Sequence, residues 1–113
     1  MNSVWKFSLI FIMLFVLLNF QMIYAHEDAH YQIGKNHGCV DGEIVINWDI
    51  SGYYTCKNYI HRTENIRLQE TYLHSLNEVV GYNVQSMANT FLIGLYLVGL
   101  ILIILFARQG DEK

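Results

Sequence analysis

The sequence contains no proline. No helix in it can be stopped by a missing amide donor, so any break must come from glycine or from local composition. Charge is sparse: Lys and Arg number 7, Asp and Glu 10, and the formal net charge is −3. With no basic patch there is no electrostatic footprint for a nucleic acid, and no nucleic-acid partner is expected. Internal repeats and low-complexity linkers are also missing. Cysteine is limited to two residues, which allows one disulfide at most. What the chain does have is apolar residues, 53% of the total, concentrated at the two ends. That leaves roughly 65 residues between them for one small domain. A unit of this size builds a thin core and usually needs a staple, either a disulfide or a metal.

The first apolar run, Phe7 to Ala25, follows Lys6. A cation followed by a long apolar stretch fits a signal peptide or an N-terminal membrane anchor, and residues 1–25 are read as one or the other. Ala25 is a small residue suited to a cleavage position, whereas Ile23, two before it, is larger than the alanine preferred there. At about 18–20 residues the run is also long enough to span a bilayer uncut. The second run, Phe91 to Ala107, carries no charge and is followed by Arg108 and a polar tail. Residues 90–107 are read as a transmembrane helix and 108–113 as a cytoplasmic tail. Lys6 and Arg108 lie on the far sides of the two runs, which puts both in the cytoplasm and residues 26–89 outside.

Cys39 and Cys56 fall in that extracytoplasmic part, where an even count reads as one disulfide. Between them, Glu43 to Trp48 reads as a strand, Asp49 to Gly52 as a turn, and Tyr53 to Thr55 as the returning strand, with Trp48 in the hairpin core. A Cys39–Cys56 bridge would clamp this hairpin at its open end. Residues 26–36 read as a short helix, ended at His37-Gly38 by a glycine suited to a left-handed conformation. A longer helix begins after Thr63, a suitable N-cap, with Glu64 in its first turn. Ile66, Leu73, Leu76, Val80, Val84 and Met87 recur at helical spacing and give it one apolar face. Nothing but Gly81 weakens its continuation into the membrane segment. The expected fold is therefore α+β, mostly α: an N-terminal hydrophobic segment, a short helix, a disulfide-clamped β-hairpin, and a long helix running into a C-terminal transmembrane helix.

His26-Glu27-Asp28-Ala29-His30 has the form HExxH. Residues four apart share a helix face, so His26 and His30 can present ring nitrogens to one zinc ion while Glu27 reaches a water beside it. Zinc lowers the pKa of such a water, and a glutamate can take its proton during attack on a carbonyl. A third ligand is needed, and Leu76-Asn77-Glu78 lies on the later helix. With these two motifs the chain resembles the gluzincin branch of zinc metallopeptidases, in which HExxH is completed by a glutamate from an Asn-Glu pair on a later helix. The resemblance implies His26, His30 and Glu78 as zinc ligands and Glu27 as the catalytic base. Gluzincins often carry an aspartate four residues after the ligand glutamate, and here that position is Tyr82.

His74, Glu78 and Tyr82 form a polar stripe at four-residue spacing. His74 is thus an alternative zinc ligand to Glu78, and Tyr82 a candidate hydrogen-bond donor to an oxyanion. HExxH followed by Gly34 and His37 is similar to the metzincin pattern but one residue too long, which turns His37 away by about 100°. Cleavage after Ala25 would instead make His26 an N-terminal residue whose amine and imidazole could chelate copper. The expected function is a minimal membrane-anchored zinc-dependent hydrolase, a metallopeptidase acting on a peptide substrate, with the lipid bilayer as its other partner. The alternative is a non-enzymatic membrane protein whose ectodomain serves as a protein-interaction or structural metal-binding module. In that case four protein ligands, for example His26, His30, His74 and Glu78, would leave the metal no open position.

Overall fold

A computed structural model describes residues 3–111, with side chains described for residues 3–107. Residues 1–2 of the expected leader, residues 112–113 of the expected tail, and the side chain of Arg108 lie outside this description. The element order is α1 (Ser3–Asn36), β1 (Glu43–Ile46), β2 (Gly52–Thr55) and α2 (Glu64–Asp111). The apolar segment and the short helix expected separately are one helix of 34 residues. The reason is local. With no proline in the chain and no glycine before Gly34, nothing interrupts the main-chain hydrogen bonds between residues 25 and 26.

Helix α1 ends as the sequence leads one to expect. Cys39 N donates to Gly34 O at 2.9 Å and Gly38 N to Lys35 O at 3.4 Å, with Gly38 at φ 95°. This is a Schellman closure, and a side chain at Gly38 would overlap the Ile60 carbonyl. Helix α2 starts with Thr63 Oγ1 accepting from Ile66 N at 3.3 Å, the capping bond expected of that residue. It then runs 48 residues without interruption.

The hairpin pairs Glu43 with Thr55 and Ile46 with Gly52 in an antiparallel ladder. Cys39 and Cys56 are bonded just beyond its open end, with Cα atoms 6.2 Å apart. Asp41 reinforces that end by accepting from Asn58 N at 2.9 Å, Asn58 Nδ2 at 2.7 Å and Lys57 N at 3.1 Å. The turn begins earlier than expected. Ile50 N donates to Asn47 O at 3.3 Å, taking the carbonyl that would continue the ladder, and Asn47 N donates to Ser51 O at 2.8 Å, so the strand stops at Ile46 and Trp48 sits on the turn. Trp48 is consequently 97% exposed instead of packed in the hairpin core.

The chain divides into two compact units, residues 1–18 with 86–113, and residues 19–85. In the first, Phe7 stacks on Tyr96 at 5.7 Å between ring centres, and Ser8 Oγ lies 2.9 Å from Tyr96 OH. Both helices carry an eighteen-residue stretch long and apolar enough to cross a membrane, one of them near the N-terminus. In the second unit the buried residues of α1 are Asn19, Ile23, Glu27, His30 and Gly34. They recur every three or four residues, so they form one stripe. That stripe is mostly polar, the reverse of an ordinary core. The inward side of α2 is polar as well. Leu76, Val80, Val84 and Met87, expected as an apolar face, are exposed, while Glu70 is buried and Asn77 and Gly81 meet His26.

Candidate metal centre

Two close approaches bring the helices together at the HExxH segment. A side chain at Gly81 would overlap the His26 ring, so only glycine lets α2 lie this near. Asn77 Nδ2 donates to the His26 carbonyl at 3.1 Å, tying α1 to α2 one turn before Gly81. On the other side, a side chain at Gly34 would overlap the Tyr54 hydroxyl, which lets β2 settle against α1. Gly52 likewise packs against Ile23 and Glu27.

Within this frame three side chains converge. His30 Nε2 lies 3.0 Å from Glu78 Oε1 and 3.2 Å from His26 Nε2. His26 Nε2 lies 3.6 Å from Glu78 Oε2. Donors bound at about 2.0–2.1 Å around a tetrahedral ion stand about 3.3 Å from one another. The observed separations lie near that value, two of them reaching different oxygens of Glu78, so the three side chains are close enough to hold one cation. His26, His30 and Glu78 are the trio expected from the sequence. His74, the alternative ligand, is elsewhere: its Nδ1 lies 2.6 Å from His30 Nδ1, on the far side of that ring.

Protonation favours ligation. Burial pushes the His30 imidazole below its ordinary pKa, and the His74 and His26 rings push the same way, outweighing Glu78 and Glu27. His30 is therefore neutral at pH 7, with one nitrogen lone pair free to bind a metal.

Glu27 is 6% exposed, and no hydrogen bond to it occurs among the described residues. It borders two cavities. The larger, about 470 Å³, is also lined by His26, Glu78 and Tyr82. The smaller, about 320 Å³, is lined by His30, Glu78 and the β2 residues Gly52, Tyr53 and Tyr54. Tyr82 is exposed, with its ring centre 6.4 Å from that of His26.

Behind His74 lies a group that the sequence reading overlooked. Glu70, 2% exposed, accepts from Tyr59 OH and from Arg62 Nη2, each at 2.7 Å. Its Oε1 is 3.5 Å from His74 Nε2. Burial and the Glu70 contact hold the Tyr59 hydroxyl well above the usual phenol range. The signal for Glu70 was present as the next position, four residues back, on the stripe of His74, Glu78 and Tyr82.

No family model, curated protein or solved structure matches this chain.

Proposed function

We propose that the protein is a membrane-anchored zinc-dependent hydrolase that cleaves peptide bonds. The observation that carries this reading is the convergence of His26 Nε2, His30 Nε2 and Glu78 carboxylate oxygens at 3.0–3.6 Å, beside the buried Glu27. Three protein ligands leave one of four positions for a water or a substrate oxygen, as catalytic zinc sites require. Zinc held there would supply Lewis acidity, polarising the substrate carbonyl and making a water acidic near neutral pH.

The chain's own residues do the rest. Glu27 takes a proton from the attacking water as oxygen bonds to the carbonyl carbon, then returns it to the departing amine nitrogen as the C–N bond breaks. Tyr82, on the rim of the larger cavity, is free to donate its hydroxyl to the carbonyl oxygen as negative charge develops. A peptide is favoured as substrate by the sheet. β2 pairs only with β1 among the described residues, so its other edge has main-chain groups unclaimed by any strand. Its residues line the smaller cavity with Glu27, His30 and Glu78, and an extended peptide can add to such an edge.

The membrane reading rests on the apolar stretches of α1 and α2 and on their outward-facing side chains, including Leu97, Ile101, Leu105 and Phe106. The Cys39–Cys56 bridge favours an oxidising compartment for residues 26–89, in keeping with Lys6 and Arg108 on the cytoplasmic side. One observation favours a second role. Trp48, exposed at the hairpin tip, is suited to burial against a protein partner.

The test is metal analysis and peptide hydrolysis with the full chain in detergent. Wild type retains zinc and hydrolyses. Glu27→Gln retains zinc and loses about 10²–10⁴-fold in rate. Unchanged hydrolysis in Glu27→Gln removes the glutamate from the chemistry, and a wild type without zinc removes the reading altogether.

A further inference from the structure

His30 lies between two carboxylates. A single line of polar atoms runs from Glu78 Oε1 to His30 Nε2 at 3.0 Å, from His30 Nδ1 to His74 Nδ1 at 2.6 Å, and from His74 Nε2 to Glu70 Oε1 at 3.5 Å. This makes three gaps. When both imidazoles are neutral they carry one N–H each and supply protons for two of the gaps only. The middle gap, at 2.6 Å, must hold one of them, because two ring lone pairs cannot stand that close, so the gap without a proton is an outer one, where a ring lone pair meets a carboxylate and is repelled unless a cation stands between them.

The surroundings decide which gap goes without. Glu70 is 2% exposed and already ion-paired with Arg62 at 2.7 Å, so a lone pair turned towards it could not be relieved by water. The Glu78 side chain is 45% exposed and is shared with His26. The protons therefore belong on His74 Nε2, facing Glu70, and on His30 Nδ1, facing His74. The vacant gap falls at His30 Nε2, where the His26 and Glu78 donors also meet.

We propose that His74, backed by Glu70, is a positioning residue that commits His30 to the tautomer whose Nε2 lone pair faces a divalent cation. The inference rests on the zinc reading above and adds to it how the ligand is set. It places the support for a ligand histidine on the turn before Glu78, through a second imidazole. The Arg62 and Tyr59 contacts fix Glu70, Glu70 orients His74, and His74 accepts the His30 Nδ1 proton. Partners of this kind, lying behind a ligand histidine, carry a measurable share of metal affinity.

The test uses the full chain in detergent, with zinc as the probe and two readouts. Zinc affinity is measured by chelator competition. In His74→Leu, which removes the acceptor, it falls about 10–100-fold. In His74→Asn, whose side-chain oxygen stands where Nδ1 stood, most of it returns. The second readout is the nitrogen NMR spectrum of 15N-histidine-labelled, metal-free wild type, which reports His30 protonated at Nδ1 and bare at Nε2. Wild-type affinity in His74→Leu, or a metal-free His30 protonated at Nε2, overturns the proposal. A wild type that takes up no zinc overturns the hydrolase reading instead, and the tautomer spectrum still decides for or against the role of His74.

Discussion

Gly81→Ala isolates the helix contact on which the trio depends. On an exposed helix this change is favourable by about 1 kcal/mol, because alanine restricts the unfolded chain and suits the helix. Here the added Cβ would overlap His26 Nδ1 and lie 3.3 Å from its Cγ. Restoring ordinary contact requires the ring to retreat by roughly 1 Å. Overpacking of this kind costs about 1–3 kcal/mol, so the net effect on folding runs from near zero to about 2 kcal/mol destabilising. The effect on the site is larger. Its nitrogens and oxygens stand 3.0–3.6 Å apart, and a ligand set tolerates displacements of about 0.5 Å. A shift of His26 by twice that costs about 100-fold in activity. The assays are denaturant unfolding of the metal-free protein, and chelator competition and peptide hydrolysis with the zinc-loaded one. A Gly81→Ala protein that gains the full 1 kcal/mol and binds zinc like wild type would refute the packing of His26 against α2.

Three other outcomes are expected. Cys39→Ser with Cys56→Ser opens a loop whose ends are 17 residues apart in sequence, lowering stability by about 3 kcal/mol in denaturant unfolding. Metal-free protein loses stability on acidification in two stages. Both the His30 and the Asp41 pKa are depressed in the fold, so the unfolded chain binds more protons. Stability is full above the unfolded values, 6.5 for His30 and 3.8 for Asp41, and drains as pH falls through the folded ones. Unfolding curves taken at successive pH values check this, and stability that rises below pH 6.5 would contradict it. Trp48→Ala leaves the unfolding midpoint unchanged, since the side chain is 97% exposed and has little packing to lose.

The parts of this architecture written in local chemistry were legible in the sequence. Gly38 after a helical stretch, Thr63 before one, and two cysteines bracketing alternating apolar residues each carry their own physical cause. The four-residue spacing of His26 and His30 by itself places both on one face. What stayed hidden depends on partners distant in sequence. Trp48 looked like a core residue because strand pattern alone cannot say that Asn47 and Ser51 close the turn beneath it. The apolar positions Val80, Val84 and Met87 looked inward-facing because apolar spacing usually marks a core, whereas this interior is polar and α2 turns its polar stripe towards α1. His74 stood on one stripe with Glu78 as the alternative to the ligand that the resemblance implied. Only the position of α1 separates them, since His30 meets one with Nε2 and the other with Nδ1. Glu70 falls on the same stripe, but its burial depends on compensating groups, Tyr59 and Arg62, that lie in the loop before the helix.

X-ray absorption at the zinc edge of the 113-residue chain tests the central claim most directly. The account predicts about one zinc per chain, a nitrogen and oxygen shell at about 2.0–2.2 Å, and outer-shell scattering from two imidazole rings. In Glu78→Ala the metal content falls. A sulfur shell near 2.3 Å, or zinc content unchanged by the loss of Glu78, would contradict it.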